Sequence, residues 1–281
     1  MRRLAAVGST ALRAASLLTV LLVGPTQAMA GDTIRINGSG TGLEMVKPLI
    51  KAYLKANPGA SFEVEKPLGS AGAIKALGVG AIDIAISSRP IRPEDSNQGL
   101  KFSPYGKTPL AIVTGKNIPL NNITTKGLED IYSGRTRKWP NQESIRIVLR
   151  PLEDIDTKIL RGLPAGMNEA VTQAQNRRGM LTAVTDPESN QAVASLAGSL
   201  GATGLAGIMV EKTSLSILSL DGVAPTTASL AEGRYPLVKE LNFVTKVQPS
   251  AAAQKFLDFA YSGQGRAIVE SIGVLTIKAG K

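Results

Sequence analysis

The chain has 281 residues, a formal net charge of +10, and neither cysteine nor histidine. Without these two residue types there is no disulfide framework, no cysteine nucleophile, no serine–histidine pair and no ordinary zinc site. Basic residues are scattered singly and aromatic residues make up only 4% of the chain. This composition favours a small anion as partner, rather than nucleic acid or a membrane surface. No cofactor is expected.

The N-terminus predicts an export signal. Arg2 and Arg3 precede an apolar run over residues 14–23, which ends before the small-residue sequence Ala28-Met29-Ala30. The run is shorter than the roughly 20 residues that a membrane anchor needs, so residues 1–30 are interpreted as a secretory signal peptide. Three arginines leave with this segment, and the mature chain carries +7 and begins near Gly31. A periplasmic location follows.

A glycine-rich turn comes first in the mature chain. Ile34 and Ile36 predict a short strand, residues 37–42 read Asn-Gly-Ser-Gly-Thr-Gly, and the apolar spacing over 43–54 predicts an amphipathic helix. A helix that begins at such a turn directs its unpaired N–H groups and its positive dipole end towards the turn. The arrangement predicts an anion-binding cradle.

A second strand, turn and helix of the same form follows. The strand is predicted at 62–64, the turn is Pro67-Leu-Gly-Ser-Ala-Gly72, and a short helix is predicted at 73–77. Such turns often only connect elements. Two of them in one chain strengthen the prediction of an anion site.

In the rest of the chain, the spacing of apolar residues alternates between strand-like and helix-like. Strands are predicted at 82–86, 109–114, 145–149, 203–209, 214–220 and 241–245. Helices are predicted at 124–132, 155–160, 168–177, 189–196, 250–260 and 266–272. This alternation predicts an α/β fold with a mostly parallel sheet, in which ligands bind beyond the carboxyl ends of the strands.

Several short motifs occur in an order that is typical of one family. They are Gly38-Ser-Gly-Thr41, Gly69-Ser-Ala-Gly72, Asp83-Ile-Ala-Ile-Ser-Ser-Arg89, Leu128-Glu-Asp-Ile-Tyr-Ser-Gly134 with Lys138-Trp139, Ile147-Val-Leu-Arg150 and Gly201-Ala-Thr-Gly204. On these motifs the chain resembles the periplasmic phosphate-binding proteins of ABC importers, within the wider class of two-lobed solute-binding proteins.

The resemblance implies two α/β lobes joined by crossing hinge strands. Lobe one would comprise residues 31–112 and 226–281, and lobe two residues 113–225. A monomeric receptor of this kind closes on a phosphate-like oxyanion and delivers it to a membrane ABC permease without catalysing a reaction. Three alternatives remain open: a sensor of the same fold, a binder of a different anion or a larger solute, and an enzyme that uses the carboxylates of Glu153, Asp154 and Asp156.

The resemblance also implies which residues hold the anion. The family uses hydroxyls and backbone N–H groups of the lobe-one turns and an arginine at the end of a lobe-two strand. Carried over to this chain, those positions are Thr41, Ser70, Ser88 and Arg150. The full set of predicted ligand-binding residues adds Ser39, Asp154, Asp156 and Thr157. Structural explanations compete with some of these roles, because Thr41 or Asp154 could cap a helix and Ser70 or Ser88 could stabilise its own turn.

Two departures from the family pattern bear on the ligand. After Arg150 the usual Ser-Gly-Thr loop is replaced by residues 151–157, which carry acids, and Ser88 stands where phosphate-specific members often have an aspartate. We therefore expect Asp154 or Asp156 to accept a hydrogen bond from the P–OH group of a protonated oxyanion and to reject sulfate. Replacing Arg150 by alanine is expected to weaken anion binding by about 2–3 kcal/mol, with folding nearly unaffected.

Overall fold

The computed structural model describes residues 33–96, 99–164 and 166–277, so the predicted signal peptide lies outside the described residues. The strands are β1 Thr33–Gly38, β2 Ser61–Val64, β3 Ile84–Ser87, β4 Leu100–Gly115, β5 Asn122–Ile123, β6 Arg146–Leu149, β7 Leu181–Thr182, β8 Ser199–Gly204, β9 Leu215–Leu220, β10 Val238–Lys246 and β11 Leu275–Thr276. The helices are α1 Gly40–Ala56, α2 Gly69–Gly78, α3 Pro93–Ser96, α4 Thr125–Ser133, α5 Ile155–Arg161, α6 Met167–Asn176, α7 Asp186–Ser195, α8 Leu205–Glu211, α9 Thr227–Ala231, α10 Ala251–Tyr261 and α11 Gly263–Glu270. In the part of the chain that is described, no helix combines the length and apolar character needed to span a bilayer.

Two long strands connect the lobes. The sheet order is β2-β1-β3-β10-β4-β8-β6-β7, and the 16 residues of β4 pair with β10 in lobe one and with β8 and β9 in lobe two. The outer strands pair in parallel on each side, whereas β4 and β10 run antiparallel to their neighbours. The predicted α/β fold with crossing hinge strands is confirmed.

Each lobe has its own hydrophobic core. One core is built mainly from residues between 34 and 86 and between 241 and 274, and another from residues between 110 and 237. The single tryptophan, Trp139, is buried in the second. The discontinuous first core supports a first lobe made of two chain segments, and the predicted boundaries at 112 and 226 stay a prediction.

Local capping explains where several helices begin. The predicted helix 43–54 begins at Gly40, because the Oγ of Ser39 accepts a hydrogen bond from the backbone N–H of Gly42 at 3.1 Å. Similarly, Thr124 caps α4, which ends at Gly134 with φ +83°. The glycine-rich turns predicted to precede α1 and α2 form the first turns of these helices.

The strand predicted at 203–209 is wrong from residue 205 onward. Strand β8 ends at Gly204, and α8 follows at once. Here a Cβ on residue 204 would lie 2.4 Å from Oγ1 of Thr41, so only glycine permits this contact between the lobes. Helix α8 buries Ala206 and Ile208, and this packing overrides a short apolar run that periodicity alone cannot distinguish from a strand.

Candidate functional site

A cavity of about 700 Å³ lies between the lobes. Its walls come from the segments that follow β1, β2, β3, β6 and β7 and from the hinge strands β4 and β10. The lining residues are Ser39, Gly40, Pro67, Leu68, Gly69, Ser70, Ala71, Ser88, Arg89, Pro90, Arg92, Lys107, Arg150, Glu153, Asp154, Ile155, Lys158, Ile159, Val184, Thr185, Asp186, Val238 and Glu240. This is the predicted position, at the carboxyl ends of the parallel strands.

Three predicted serines meet on the lobe-one wall. The Oγ atoms of Ser39 and Ser88 lie 2.6 Å apart, and the backbone N–H of Ser88 donates to Oγ of Ser70 at 2.9 Å. These residues come from the start of α1, the end of β3 and the start of α2. A seryl hydroxyl can both donate and accept, so the group can bind an oxyanion in more than one protonation state.

The N-terminus of α2 opens into the same wall. Its N-cap residue, Leu68, makes no side-chain capping bond, and Gly69 has a φ of +70°, a conformation that favours glycine. The Oδ1 of Asn37 accepts from the backbone N–H of Leu68 at 2.9 Å and so fixes the turn in place. Asn37 is a buried site-supporting residue that sequence reasoning missed. The first N–H groups of this ten-residue helix are therefore available to an anion.

Arg150 lies on the lobe-two side, and its guanidinium is largely engaged within the protein. Its Nη2 is 2.8 Å from Oδ2 of Asp154 and 3.4 Å from Oδ2 of Asp186, and Nη1 donates to the carbonyl of Ala183 at 3.2 Å. Only 5% of Arg150 is exposed. Asp154 also caps α5, since its Oδ1 accepts from the backbone N–H of Asp156 at 2.9 Å.

A buried lysine on the hinge strand completes the charge cluster. The Nζ of Lys239 lies 2.6 Å from Oδ1 of Asp156 and 2.9 Å from Oδ1 of Asp186. Thr41 of lobe one donates from Oγ1 to Oδ1 of Asp186 at 2.8 Å. The cluster thus holds two cations, Arg150 and Lys239, against three carboxylates, and it joins the two lobes.

The two deepest carboxylates differ in their ionisation. Burial raises the pKa of Asp156 to about 7, although the nearby Lys239 acts in the opposite direction. Burial also disfavours ionised Asp186, but Lys239 and Arg150 outweigh it and hold the pKa of Asp186 well below its usual range. Burial alone would lower the pKa of Lys239, and the carboxylates of Asp156 and Asp186 raise it above its usual value. At neutral pH, Asp186 is therefore a fixed anion.

The structure brings five of the eight predicted site residues to the cavity. They are Ser39, Ser70, Ser88, Arg150 and Asp154. The other three lie behind the wall: Thr41 and Asp156 contact the ion cluster, and Thr157 donates to the carbonyl of Arg150 at 3.2 Å. Direct ligand contact by these three stays a prediction.

Sequence reasoning missed Asp186 and Lys239. Asp186 follows Thr185, whose capping box with Glu188 is a sufficient local reason for acids at the start of α7. Lys239 stands next to Glu240, just before the strand predicted at 241–245. Such a charged pair is typical of an exposed strand end, but Lys239 is 1% exposed. In the region that the structure describes, no group of three or more acidic side chains is arranged to hold a metal ion.

Comparison with known proteins places this geometry in a family. A family model described as a PBP superfamily domain matches residues 23–264. The chain is 28% identical to the phosphate-binding protein PstS of Borreliella burgdorferi, over 87% of this chain and 90% of the relative. It is 24% identical to PstS of Bacillus subtilis, over 83% and 76% respectively. A putative phosphate ABC transporter substrate-binding protein from Clostridium perfringens, solved with bound phosphate, superposes with a TM-score of 0.74 at 22% identity, covering 88% of this chain and all of that one.

Proposed function

This chain belongs to the PBP superfamily, and on that premise we propose that it is a periplasmic solute-binding protein that captures a phosphate-like oxyanion between its lobes for ABC import. The relatives named phosphate-binding proteins support this ligand class. Its partner would be the membrane permease of the importer. The predicted signal peptide supports export, and binding alone, without catalysis, meets this role.

The observation that carries the proposal is the convergence of Ser39, Ser70 and Ser88 beside the open N-terminus of α2. Hydroxyl and backbone N–H groups can donate hydrogen bonds to an oxyanion without bringing a full positive charge to it. The dipole of α2 adds a positive potential at the N-terminus of the helix. Both donor sets line the cavity. We assign the anion's oxygens to this wall.

Arg150 has a smaller role in this proposal than a free arginine would have. Asp154 and Asp186 already neutralise it, so it orients the lobe-two wall and adds limited net attraction. This charge balance also bears on selectivity. Asp154 and Asp186 line the cavity, and their negative charge repels a fully ionised anion such as sulfate more than an oxyanion that keeps a proton.

Titration calorimetry on the mature chain tests the proposal. Phosphate and arsenate are expected to bind, and sulfate to bind at least tenfold more weakly. Replacing Ser70 or Ser88 by alanine removes a hydrogen bond to a charged group and is expected to weaken phosphate binding about tenfold or more. Ser214→Ala is the matched control, because Ser214 is exposed and does not line the cavity. Absence of binding by any oxyanion, or equal losses in the control, would contradict the proposal.

A further inference from the structure

We infer that the ligand is an organic phosphate or phosphonate with an apolar body, rather than inorganic phosphate. This inference rests on the proposed function and specifies its ligand. It depends on two features of the cavity: a carboxylate that already fills the position at the start of α1, and apolar side chains that remain exposed on both sides of the cleft.

Asp186 places a negative charge against the first residue of α1. A Cβ added to Gly40, the first residue of that helix, would lie 2.3 Å from Oδ2 of Asp186, so the carboxylate is in direct contact with the helix start. Its other oxygen accepts from Thr41 and Lys239. The charge that the cradle of α1 would attract is therefore supplied by the protein itself.

A compact anion placed beside Asp186 would meet like charge. Asp154 and Asp186 already pair with the available guanidinium of Arg150 at 2.8 and 3.4 Å. The head group is therefore assigned to the hydroxyls of Ser70 and Ser88 and the start of α2, on the wall away from this cluster. Inorganic phosphate would occupy only that wall and leave the rest of the cavity to water.

The rest of the cavity suits an organic body. Its volume of about 700 Å³ falls in the range of about 300–1,000 Å³ that holds drug-sized ligands, whereas a water molecule takes about 30 Å³ and phosphate has only five heavy atoms. Leu68 on lobe one and Val184 on lobe two line the cavity and are 53% and 65% exposed. Ile155, Ile159 and Val238 add half-buried apolar surface. A bound apolar group would cover these side chains when the head group is in place.

Calorimetry with phenyl phosphate and inorganic phosphate tests the inference. Phenyl phosphate is expected to bind wild type at least tenfold more tightly, which corresponds to about 1.4 kcal/mol. The double variant Leu68→Ala/Val184→Ala is expected to reduce this affinity ratio at least threefold. Val79→Ala is the matched control, because Val79 is 77% exposed and lies outside the cavity lining, and it should keep the wild-type ratio. All three positions are exposed, so the variants are expected to fold.

The outcomes separate this inference from the proposed function. If inorganic phosphate binds as tightly as phenyl phosphate, or the double variant keeps the wild-type ratio, the inference is overturned and the oxyanion receptor stands. If neither compound binds, both are overturned. Asp186→Ser provides an independent check, because freeing the start of α1 should tighten inorganic phosphate binding at least tenfold relative to wild type. An unchanged or weaker affinity in a folded Asp186→Ser protein would contradict the assignment of Asp186 as the resident anion.

Discussion

Replacing Lys239 by methionine is expected to destabilise the folded protein by about 3–5 kcal/mol, the cost of removing one partner from a buried ion pair. Lys239 is 1% exposed, and its Nζ contacts Asp156 at 2.6 Å and Asp186 at 2.9 Å. Methionine keeps most of the apolar stem and removes the charge together with its N–H donors. The variant therefore isolates the electrostatic contribution from packing.

Two opposing effects determine the size of this loss. Two carboxylates lose their cation at once, which places the cost near the upper end of the range. However, Asp156 has a pKa of about 7, so it can take up a proton and relieve part of the penalty. The loss should therefore be larger at pH 8 than at pH 5.5.

Urea denaturation followed by circular dichroism at both pH values measures this difference. The double variant Lys239→Met/Asp156→Asn is expected to recover at least about 1 kcal/mol relative to Lys239→Met, because it removes one uncompensated charge. A loss below about 1 kcal/mol at pH 8, or no recovery in the double variant, would refute the view that Lys239 neutralises a buried carboxylate pair.

Three further predictions concern the same region. Asp156→Asn should flatten the pH dependence of stability, because the pKa of Asp156 rises from about 3.9 in the unfolded chain to about 7 in the folded one. Wild type therefore loses stability as pH rises through this window, whereas the variant does not. Urea titrations from pH 4 to 7.5 would record this difference. Arg150→Ala should lower the free energy of unfolding by about 3 kcal/mol, because Arg150 is buried among three carboxylates. This revises the expectation that folding would be nearly unaffected. A variant with the wild-type free energy of unfolding would contradict this prediction. Thr185→Ala should cost about 0.5–2 kcal/mol in a thermal melt, since it removes the capping box of α7, and an unchanged melting temperature would show that the box contributes nothing.

The sequence was sufficient for features with local causes. The strand, glycine turn and helix around Ser39 follow from residue spacing and capping, and both are visible in a window of twenty residues. Likewise, Thr124 and Gly134 mark the ends of α4. The family resemblance added the order of these units and hence the two-lobed fold.

The ion cluster could not be predicted because it is assembled from distant parts of the chain. Thr41 and Asp186 are separated by 145 positions, and Lys239 reaches the same point from the hinge strand. No local pattern shows that these side chains meet or that they are buried. The predicted roles of Asp156 and Thr157 depended on the same long-range geometry, and their side chains lie behind the cavity wall.

The most direct test of the oxyanion site is a crystal structure of the mature chain with phenylarsonate, whose arsenic is located by anomalous scattering. The account predicts one arsenic peak in the interlobe cavity, with the anion's oxygens within hydrogen-bond distance of Ser70 and Ser88 and with Asp186 still bound to Thr41. The phenyl group should lie between Leu68 and Val184. An arsenic peak outside the cavity, or one that displaces Asp186 from the start of α1, would contradict it.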